Sequence, residues 1–331
     1  MIRRRKSLLP QLGICVIFGI IVGIVFFLCL HDRSMTFMAK ADTPDKTLNF
    51  ELAITIDDLP WVGPLPYGAS IEEVLGGIAD VLQAHKAPAT GFVVSDHAVG
   101  NEVALRAWVD HGFYLGNHSA LHRDLNSTPD SEWLADAALC TEFLKKFGHA
   151  NTPYFRFPML HQGDTLEKRN HVRSALQDMG LKTAHVTVDT SDWLLDRAYA
   201  FAVKSQDSSL QDEIRHEFIR HIIAAVEHAD SVARRKAGRQ VRQILLLHAT
   251  ALVHDNLDAL LCELAARSVK FITLEKALTD SVYSLTDEYI GPKGLSWLYR
   301  MQPLSVADAL WDDAETAVIH GRFSRALAAD S

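Results

Sequence analysis

The body of the chain has little cysteine and no stripe of basic residues. Only Cys140 and Cys262 lie outside an apolar N-terminal segment, and each falls in a helix-like, apolar context. We therefore expect two buried free thiols, although an exported chain can also pair them in a disulfide. The net charge of −8, together with the missing basic stripe, argues against a nucleic acid partner.

Repeats and low-complexity tracts are also missing. Hydrophobic residues make up 48% and charged residues 22% of the 331 positions, as in ordinary globular proteins. A chain of this length can bury a large core, either as one big domain or as two smaller ones.

One long hydrophobic run does occur, at residues 12–30, and a basic cluster at residues 3–6 precedes it. At about 1.5 Å per residue, such a helix crosses a hydrocarbon core of roughly 30 Å. The basic cluster favours a cytoplasmic N-terminus, so we predict that residues 1–31 anchor the chain in a bacterial cell membrane with the body outside the cytoplasm, periplasmic or extracellular. Cleavage near residues 39–41 is the alternative and would give a secreted protein.

Strand-like and helix-like segments alternate after a polar linker at residues 32–50. The strand candidates are 51–57, 89–94, 113–117, 153–156, 182–188, 242–248 and 268–272. The helix candidates are 70–84, 101–111, 130–147, 164–179, 210–236, 254–267 and 273–279. Successive βα units predict a parallel sheet, either a barrel or an open doubly wound sheet. Residues 196–240 are long for one connection and predict an inserted helical excursion, and residues 281–331 form a partly helical extension.

Polar residues with possible chemical roles lie where the predicted strands end. They are Asp57 and Asp58 after the first strand, His118 and His122 after the third, Arg156 at the end of the fourth, Asp189 and Asp192 after the fifth, and His248 at the end of the sixth. Sites form at the C-terminal edge of parallel barrels and of open α/β sheets alike. We therefore expect these side chains to converge on one mouth.

Asp57 and Asp58 place two like charges side by side at the end of a buried strand. Such a pair is costly unless something binds it, and a divalent metal is the usual remedy. A similar pair, Asp312 and Asp313, lies in the alanine-rich tail, where we interpret it as a solvated helix face.

His118 and His122 are four residues apart, and on a helical turn both side chains would point the same way. That arrangement suits two ligands of one metal. Ser119 stands where a zincin would have its catalytic Glu, which excludes that class.

Arg156 is expected to fork onto Asp57 and to keep it ionised and oriented. The simpler alternative is an arginine that packs its stem on the rim of the core. For Asp192 the simpler alternative is a helix cap. For His248 it is a histidine at the rim of the sheet whose hydrogen bonds are satisfied and that has no catalytic role.

Together these residues resemble the five ordered motifs of the polysaccharide deacetylases with the NodB-homology domain, carbohydrate esterase family four. The motifs here are Asp57–Asp58, His118–His122, Arg156–Met159, Asp189–Trp193 and Leu245–His248, within residues 52–279. Ile56 stands directly before the acids, where Phe is commoner, and Met159 replaces a frequent aromatic. The resemblance implies a distorted (β/α)7 barrel at residues 51–280 and a metal-dependent hydrolase that removes acetyl groups from a carbohydrate.

The resemblance also implies roles for single residues. Asp58, His118 and His122 would bind a divalent metal, with zinc expected and cobalt or another divalent ion as alternatives. Asp57 would be the general base and His248 the general acid.

Further residues would support these groups. Arg156 would orient Asp57, and Asp192 would keep His248 charged. The backbone N–H of Met159 would help to hold the oxyanion. Trp193 and Leu247 would form the slot for the acetyl methyl group, His161 would line the cleft, and Asp189 would brace its loop.

Three alternatives remain open. An O-acetyl esterase would use the same site and differ only in the leaving group. A membrane-anchored glycan-binding protein with a dead site is the second, although every motif keeps its reactive side chains. An α/β metallohydrolase that acts on a peptide or small amide is the third.

Overall fold

Seven parallel strands form one curled sheet whose order explains how distant strand ends meet. The computed structural model describes residues 47–65, 68–302 and 306–328. The strands are β1 (Glu51–Leu59), β2 (Ala89–Val93), β3 (Tyr114–Asn117), β4 (Asn151–Phe155), β5 (Lys182–Thr183), β6 (Gln243–His248) and β7 (Lys270–Ile272). Their order is β5-β4-β3-β2-β1-β6, and β7 pairs with the first residues of β1. The predicted parallel sheet is confirmed.

Helices connect the strands along the described chain. They are α1 (Ile71–Ala84), α2 (Ser95–Ala98), α3 (Glu102–Asp110), α4 (Asp130–Leu144), α5 (Leu166–Asp178), α6 (Asp192–Lys204), α7 (Ser208–Ala237), α8 (Ala251–Ala266), α9 (Leu274–Leu278), α10 (Trp297–Arg300), α11 (Val306–Arg322) and α12 (Ser324–Ala328). Short 3-10 helices occur at Lys145–Ala150, Pro158–Leu160 and Ser281–Ser284. Strands β1, β2 and β6 are buried along nearly their whole length, which is why they appear in the sequence as continuous apolar runs.

The chain just after β5 brings the two ends of the sheet together. The Ala184 N–H donates to the Phe155 carbonyl of β4 at 2.8 Å, and Val188 forms a parallel bridge with Leu245 of β6. The predicted strand at 182–188 is regular only at its start because the segment changes its partner strand along its length. The sheet is therefore curled, as the resemblance implied.

The connection between β5 and β6 contains two helices where the sequence predicted one, at 210–236. Gln206 has a left-handed backbone with φ 57°, and the Asp207 carboxylate accepts the Leu210 N–H at 3.0 Å as the cap of α7. This turn separates α6 from α7. The predicted helical excursion within 196–240 is confirmed, and its first helix begins at Asp192, directly beside the cleft described below.

The C-terminal extension packs against the sheet through Trp297. This side chain is only 3% exposed, and its ring centroid lies 4.1 Å from that of His185. Its Nε1–H donates to the Val282 carbonyl at 2.8 Å, and its backbone N–H donates to the Val186 carbonyl at 2.6 Å. The segment around Trp297 is thus fixed to the strand region after β5.

Two expectations about single side chains are corrected. Asp312 is not solvated, because its carboxylate accepts the Tyr299 hydroxyl at 2.9 Å and is partly buried. Cys140 is a buried free thiol as expected, whereas Cys262 is free but exposed. Cys262 lies on the outer face of α8, while Leu261 and Leu264 carry the buried face.

None of the helices in the described ranges is long and apolar enough to cross a bilayer. The predicted anchor at residues 12–30 and the alternative cleavage site at 39–41 lie outside the described residues, so both stay predictions.

Trp297→Ala should destabilise the protein by about 3–5 kcal/mol, because it removes a large buried side chain and leaves a cavity. Urea unfolding measures this free energy. Trp193→Ala is the matched control, since Trp193 is 45% exposed and should cost less than half as much. Equal losses for both variants would contradict the docking of the extension through Trp297.

Candidate active site

A cleft of about 510 Å³ lies at the C-terminal ends of the strands. It is lined by Asp57, Asp58, Val62, His118, His122, Phe157, Met159, Leu160, His161, Asp189, Trp193, Leu246, His248 and Gly294. Most of the predicted site residues therefore come together, whereas Arg156 and Asp192 lie beneath the cleft wall, where each is fully buried.

A distortion of β1 turns both acids of the pair toward the cleft. Neighbouring residues of a regular strand point to opposite faces, but the register of β1 with β2 shifts between Ile56 and Leu59. Asp58 has a left-handed backbone with φ 64°. Such irregularities re-aim side chains next to active sites, and here they let Asp57 and Asp58 line one cavity.

The two histidines lie in a loop after β3, so the predicted helical turn is wrong. Ser119 and His122 have left-handed φ values of 63° and 53°. The Asn117 side-chain oxygen accepts the Ser119 N–H at 2.8 Å, and the Ser119 hydroxyl accepts the His122 N–H at 3.0 Å. The loop folds back on itself, which leaves the His118 and His122 ring centroids 4.8 Å apart.

His118 is held in one tautomer by the neighbouring strand end. Its Nδ1 lies 2.8 Å from the Arg156 carbonyl oxygen, a group that only accepts, so Nδ1 carries the proton. The Nε2 lone pair therefore faces Asp58. Burial lowers the pKa of His118 well below its ordinary value and also lowers the pKa of His122, so both rings are neutral, as metal ligands must be.

The residues fit a divalent cation. One oxygen of Asp58, Oδ1, lies 3.4 Å from Nε2 of His118 and 3.4 Å from Nε2 of His122. This oxygen is buried and has no hydrogen-bond partner among the described residues. The three ligand atoms lie within 4.8 Å of one another. Two imidazole nitrogens and one carboxylate oxygen, with room for a further ligand, are a donor set typical of catalytic zinc.

Asp57 is bound by a buried arginine instead. Arg156 Nη1 lies 3.1 Å from both carboxylate oxygens of Asp57, as predicted from the sequence. Its Nη2 donates to the Thr55 hydroxyl at 3.2 Å, and its Nε donates to the Ala184 carbonyl at 2.9 Å. The guanidinium also lies over the Phe92 ring, 4.5 Å from the centroid. These contacts fix the orientation of the Arg156 guanidinium.

Opposing effects set the charge of Asp57. Burial raises the pKa of this carboxyl to about 6, while the Arg156 guanidinium pulls it down. Asp57 is therefore ionised at pH 7, and its pKa is close enough to this pH for the carboxylate to accept a proton readily.

His248 and Asp192 form a second buried pair at the end of β6. The carboxylate of Asp192 accepts the His248 backbone N–H at 2.7 Å and lies 2.7 Å from Nδ1 of its ring. Burial works against the charged ring, but the carboxylates of Asp192, Asp58 and Asp57 outweigh it and raise the pKa of His248 to about 10. His248 is thus a cation whose Nε2 remains available to the cleft.

The assignment of Leu247 to the acetyl slot is wrong. Leu247 is fully buried in the main core outside the cleft, whereas Leu246 lines the cleft beside Leu160 and Val186. Side chains alternate along a strand, so a residue two before His248 shares its face and the residue directly before it does not. The alternation was readable from the sequence and would have selected Leu246.

The remaining predicted residues lie on the cleft wall. Trp193 and Met159 are 45% and 43% exposed, and Nδ1 of His161 lies within hydrogen-bond distance of Asp124 Oδ1, at 2.7 Å. Asp189 lines the cleft and accepts the N–H of its neighbour Thr190 at 2.9 Å. No motif suggested Gly294, which reaches this wall from the C-terminal extension.

Comparison with protein families matches residues 44–184 to the polysaccharide deacetylases, which confirms the resemblance drawn from the motifs. The matched range contains the first three motifs. The strand ends that carry Asp192 and His248 follow it in the chain and join the same cleft.

Solved structures with a similar backbone include carbohydrate esterases. A family 4 carbohydrate esterase from Streptomyces lividans, in complex with acetate, is 21% identical over 69% of this chain and 95% of its own, with a TM-score of 0.44. A peptidoglycan deacetylase from Bacillus subtilis is 20% identical over 72% and 93%, with a TM-score of 0.45. A pseudoenzyme of the same esterase family from Bacillus anthracis is 18% identical over 71% and 66%, with a TM-score of 0.48.

Asp58→Asn should weaken zinc binding by more than about 100-fold, beyond the cost of removing an outer partner of a metal ligand. The neighbouring Asp57→Asn is the matched control and should retain zinc affinity within about tenfold. Competition with a chromophoric chelator measures both dissociation constants. Equal affinities for the two variants would show that the separate roles of the two acids are assigned wrongly.

Proposed function

The chain carries a polysaccharide deacetylase domain over residues 44–184, and from this premise we propose that the protein is a metal-dependent hydrolase that removes acetyl groups from a carbohydrate. The reaction is N-deacetylation of a polysaccharide or oligosaccharide: water adds to the acetyl carbonyl, the C–N bond breaks, and acetate and a free amine leave. The observation that carries the proposal is the single cleft that holds a ligand triad, a carboxylate base and a charged histidine.

Asp58, His118 and His122 would hold the divalent cation, with zinc favoured by the donor set. When bound, such an ion supplies Lewis acidity, which lowers the pKa of water toward about 7 and polarises a carbonyl oxygen. The Arg156 carbonyl keeps His118 in the tautomer that presents Nε2, so the ligand geometry is set before any ion arrives.

Asp57 is placed to act as the general base. Its carboxylate lines the cleft and lies 3.7 Å from the ligand nitrogen of His118, and the fork of Arg156 fixes its orientation. An ionised carboxylate with a pKa of about 6 takes a proton from the attacking water readily near neutral pH, because its pKa is close to the working pH.

His248 is placed to act as the general acid. Its Nδ1–H is committed to Asp192, so the proton on Nε2 is the one available for transfer. That proton would go to the departing nitrogen, since an amine leaves far more easily than its anion. The carboxylate of Asp192 keeps the ring protonated until this step.

Backbone and apolar groups complete the slot for the acetyl group. The N–H of Met159 would donate to the oxygen as negative charge develops on it. Leu246 and Trp193 would pack against the methyl group. A membrane anchor in residues 1–31 would place this cleft outside the cytoplasm, on the side where cell-envelope glycans lie.

The purified protein should release acetate from N-acetylated glycans and lose this activity when a chelator removes its metal. Asp57→Asn should lower kcat by about 10²–10⁴-fold, the usual contribution of a general base, whereas the exposed control Asp178→Asn should keep wild-type turnover. Acetate release from matched N-acetylated and O-acetylated oligosaccharides measures the activity. Exclusive release from the O-acetylated substrate would replace the deacetylase by an esterase, and undiminished turnover without metal would overturn the mechanism.

Activity should follow a bell-shaped pH profile that falls below about pH 6, where Asp57 becomes protonated, and above about pH 10, where His248 loses its proton. Asp192→Asn removes the carboxylate that raises the pKa of His248. The alkaline limb should therefore move to lower pH while the acidic limb stays in place. Rates of acetate release from pH 5 to 11 test this, and an unmoved alkaline limb would rule out His248 as the acid.

A further inference from the structure

One segment of the C-terminal extension, residues 291–297, forms part of the cleft although no motif includes it. Gly294 lines the cleft together with Met159 and His161. The extension is therefore not a separate appendage, because it supplies backbone to the wall that faces the reacting group.

Gly294 is packed so closely against Met159 that only a hydrogen fits. A Cβ at this position would lie 2.0 Å from the Met159 carbonyl oxygen and 3.3 Å from Cδ2 of His161. The φ of Gly294 lies outside the left-handed region. Glycine is therefore needed here for the close approach of the two backbones, and not for an unusual backbone conformation.

The segment is fastened on both sides of Gly294. The Asn126 side-chain N–H donates to the Pro292 carbonyl at 2.6 Å, which ties the segment to the loop that follows His122. The Trp297 N–H donates to the carbonyl of Val186, whose side chain packs with Leu160 under the cleft. Gly294 is thus held at a fixed distance from the cleft floor.

Met159 has a backbone that needs such support. Met159 and Leu160 both have left-handed φ values, 54° and 55°, which residues with side chains adopt rarely. Conformations of this kind persist only when their surroundings over-determine them, and they cluster at functional sites. The Met159 N–H and the Met159 carbonyl that contacts Gly294 belong to neighbouring peptide groups, which the unusual backbone torsions of Met159 join.

We propose that Gly294 is a positioning residue: its backbone packs against the Met159 carbonyl and so fixes the backbone torsions of Met159, which hold the Met159 N–H in place for the oxyanion. This inference rests on the proposed function, since it gives the extension a part in the same reaction. It assigns residues 291–297 to the active site instead of to a separate appendage.

Gly294→Ala should push the Met159 peptide aside and lower kcat by about 10²-fold, the cost of a misplacement of about 1 Å. Zinc affinity should stay near the wild-type value, because Asp58, His118 and His122 are not among the atoms nearest to the added methyl group, and KM should change less than kcat, because the Met159 N–H acts on the oxyanion of the transition state. Gly321→Ala is the matched control: it adds the same methyl group to the same extension, at a point where no described atom lies within 4 Å. Asn126→Ala loosens the segment without adding atoms and should lower kcat in the same way but less.

A second readout does not depend on turnover. The chain has six methionines, so selective ¹⁵N-methionine labelling gives few amide signals, and Met159→Leu identifies that of Met159. Acetate added to the zinc-loaded protein should shift this signal in the wild type and in Gly321→Ala, but not in Gly294→Ala.

The two readouts separate the inference from the proposed function. If the wild type hydrolyses no acetylated glycan, yet Gly294→Ala abolishes the acetate response of Met159, the deacetylase proposal fails and the positioning role stands. The positioning role is overturned if Gly294→Ala keeps kcat within about twofold of wild type. It is also overturned if the Met159 amide of the wild type ignores acetate, or if kcat, zinc affinity and melting temperature fall together in both Gly294→Ala and Asn126→Ala.

Discussion

The buried guanidinium of Arg156 is the interaction on which the cleft depends. It joins the Asp57 carboxylate and the Thr55 hydroxyl of β1 to the Ala184 carbonyl after β5, so one side chain spans the curled sheet. Its own carbonyl fixes the tautomer of His118. Loss of one partner from such a buried pair costs about 3–5 kcal/mol, because the other charge is left uncompensated. The base, the ligand loop and the closure of the sheet are thus coupled through one residue.

Two adjacent acids have different environments although they share one strand end. Asp57 has its charge balanced by Arg156. Asp58 faces the imidazoles of His118 and His122 with a buried oxygen that accepts no hydrogen bond from the part of the chain that the structure describes. The shift in register of β1 makes this division possible, because a regular strand would send one of the acids into the core. Separate partners allow one carboxylate to bind a cation while the other stays free to move a proton.

Much of the fold was predictable because buried parallel strands leave continuous apolar runs, and each predicted strand overlaps an observed one. The convergence of strand ends followed from parallel topology alone. Local geometry was less accessible: His118 and His122 meet through left-handed turns in a loop, not through helical spacing. The family resemblance assigns Leu247 to the acetyl slot, whereas the alternation of side chains along a strand selects Leu246. The alternation can be read from the sequence, whereas the left-handed turns of the histidine loop cannot.

The sequence by itself determined the parallel sheet, the family resemblance and the set of reactive side chains, because periodicity, strand ends and motif order are local properties of the chain. Only the tertiary structure decided which groups share a bond, since those contacts join residues far apart in sequence. The pairing of Asp192 with His248 and the close approach of Gly294 to Met159 depend on how β6 and the C-terminal extension pack. No sequence pattern encodes the contact of Gly294 with Met159, because a glycine that is needed for close packing cannot be distinguished in the sequence from other glycines.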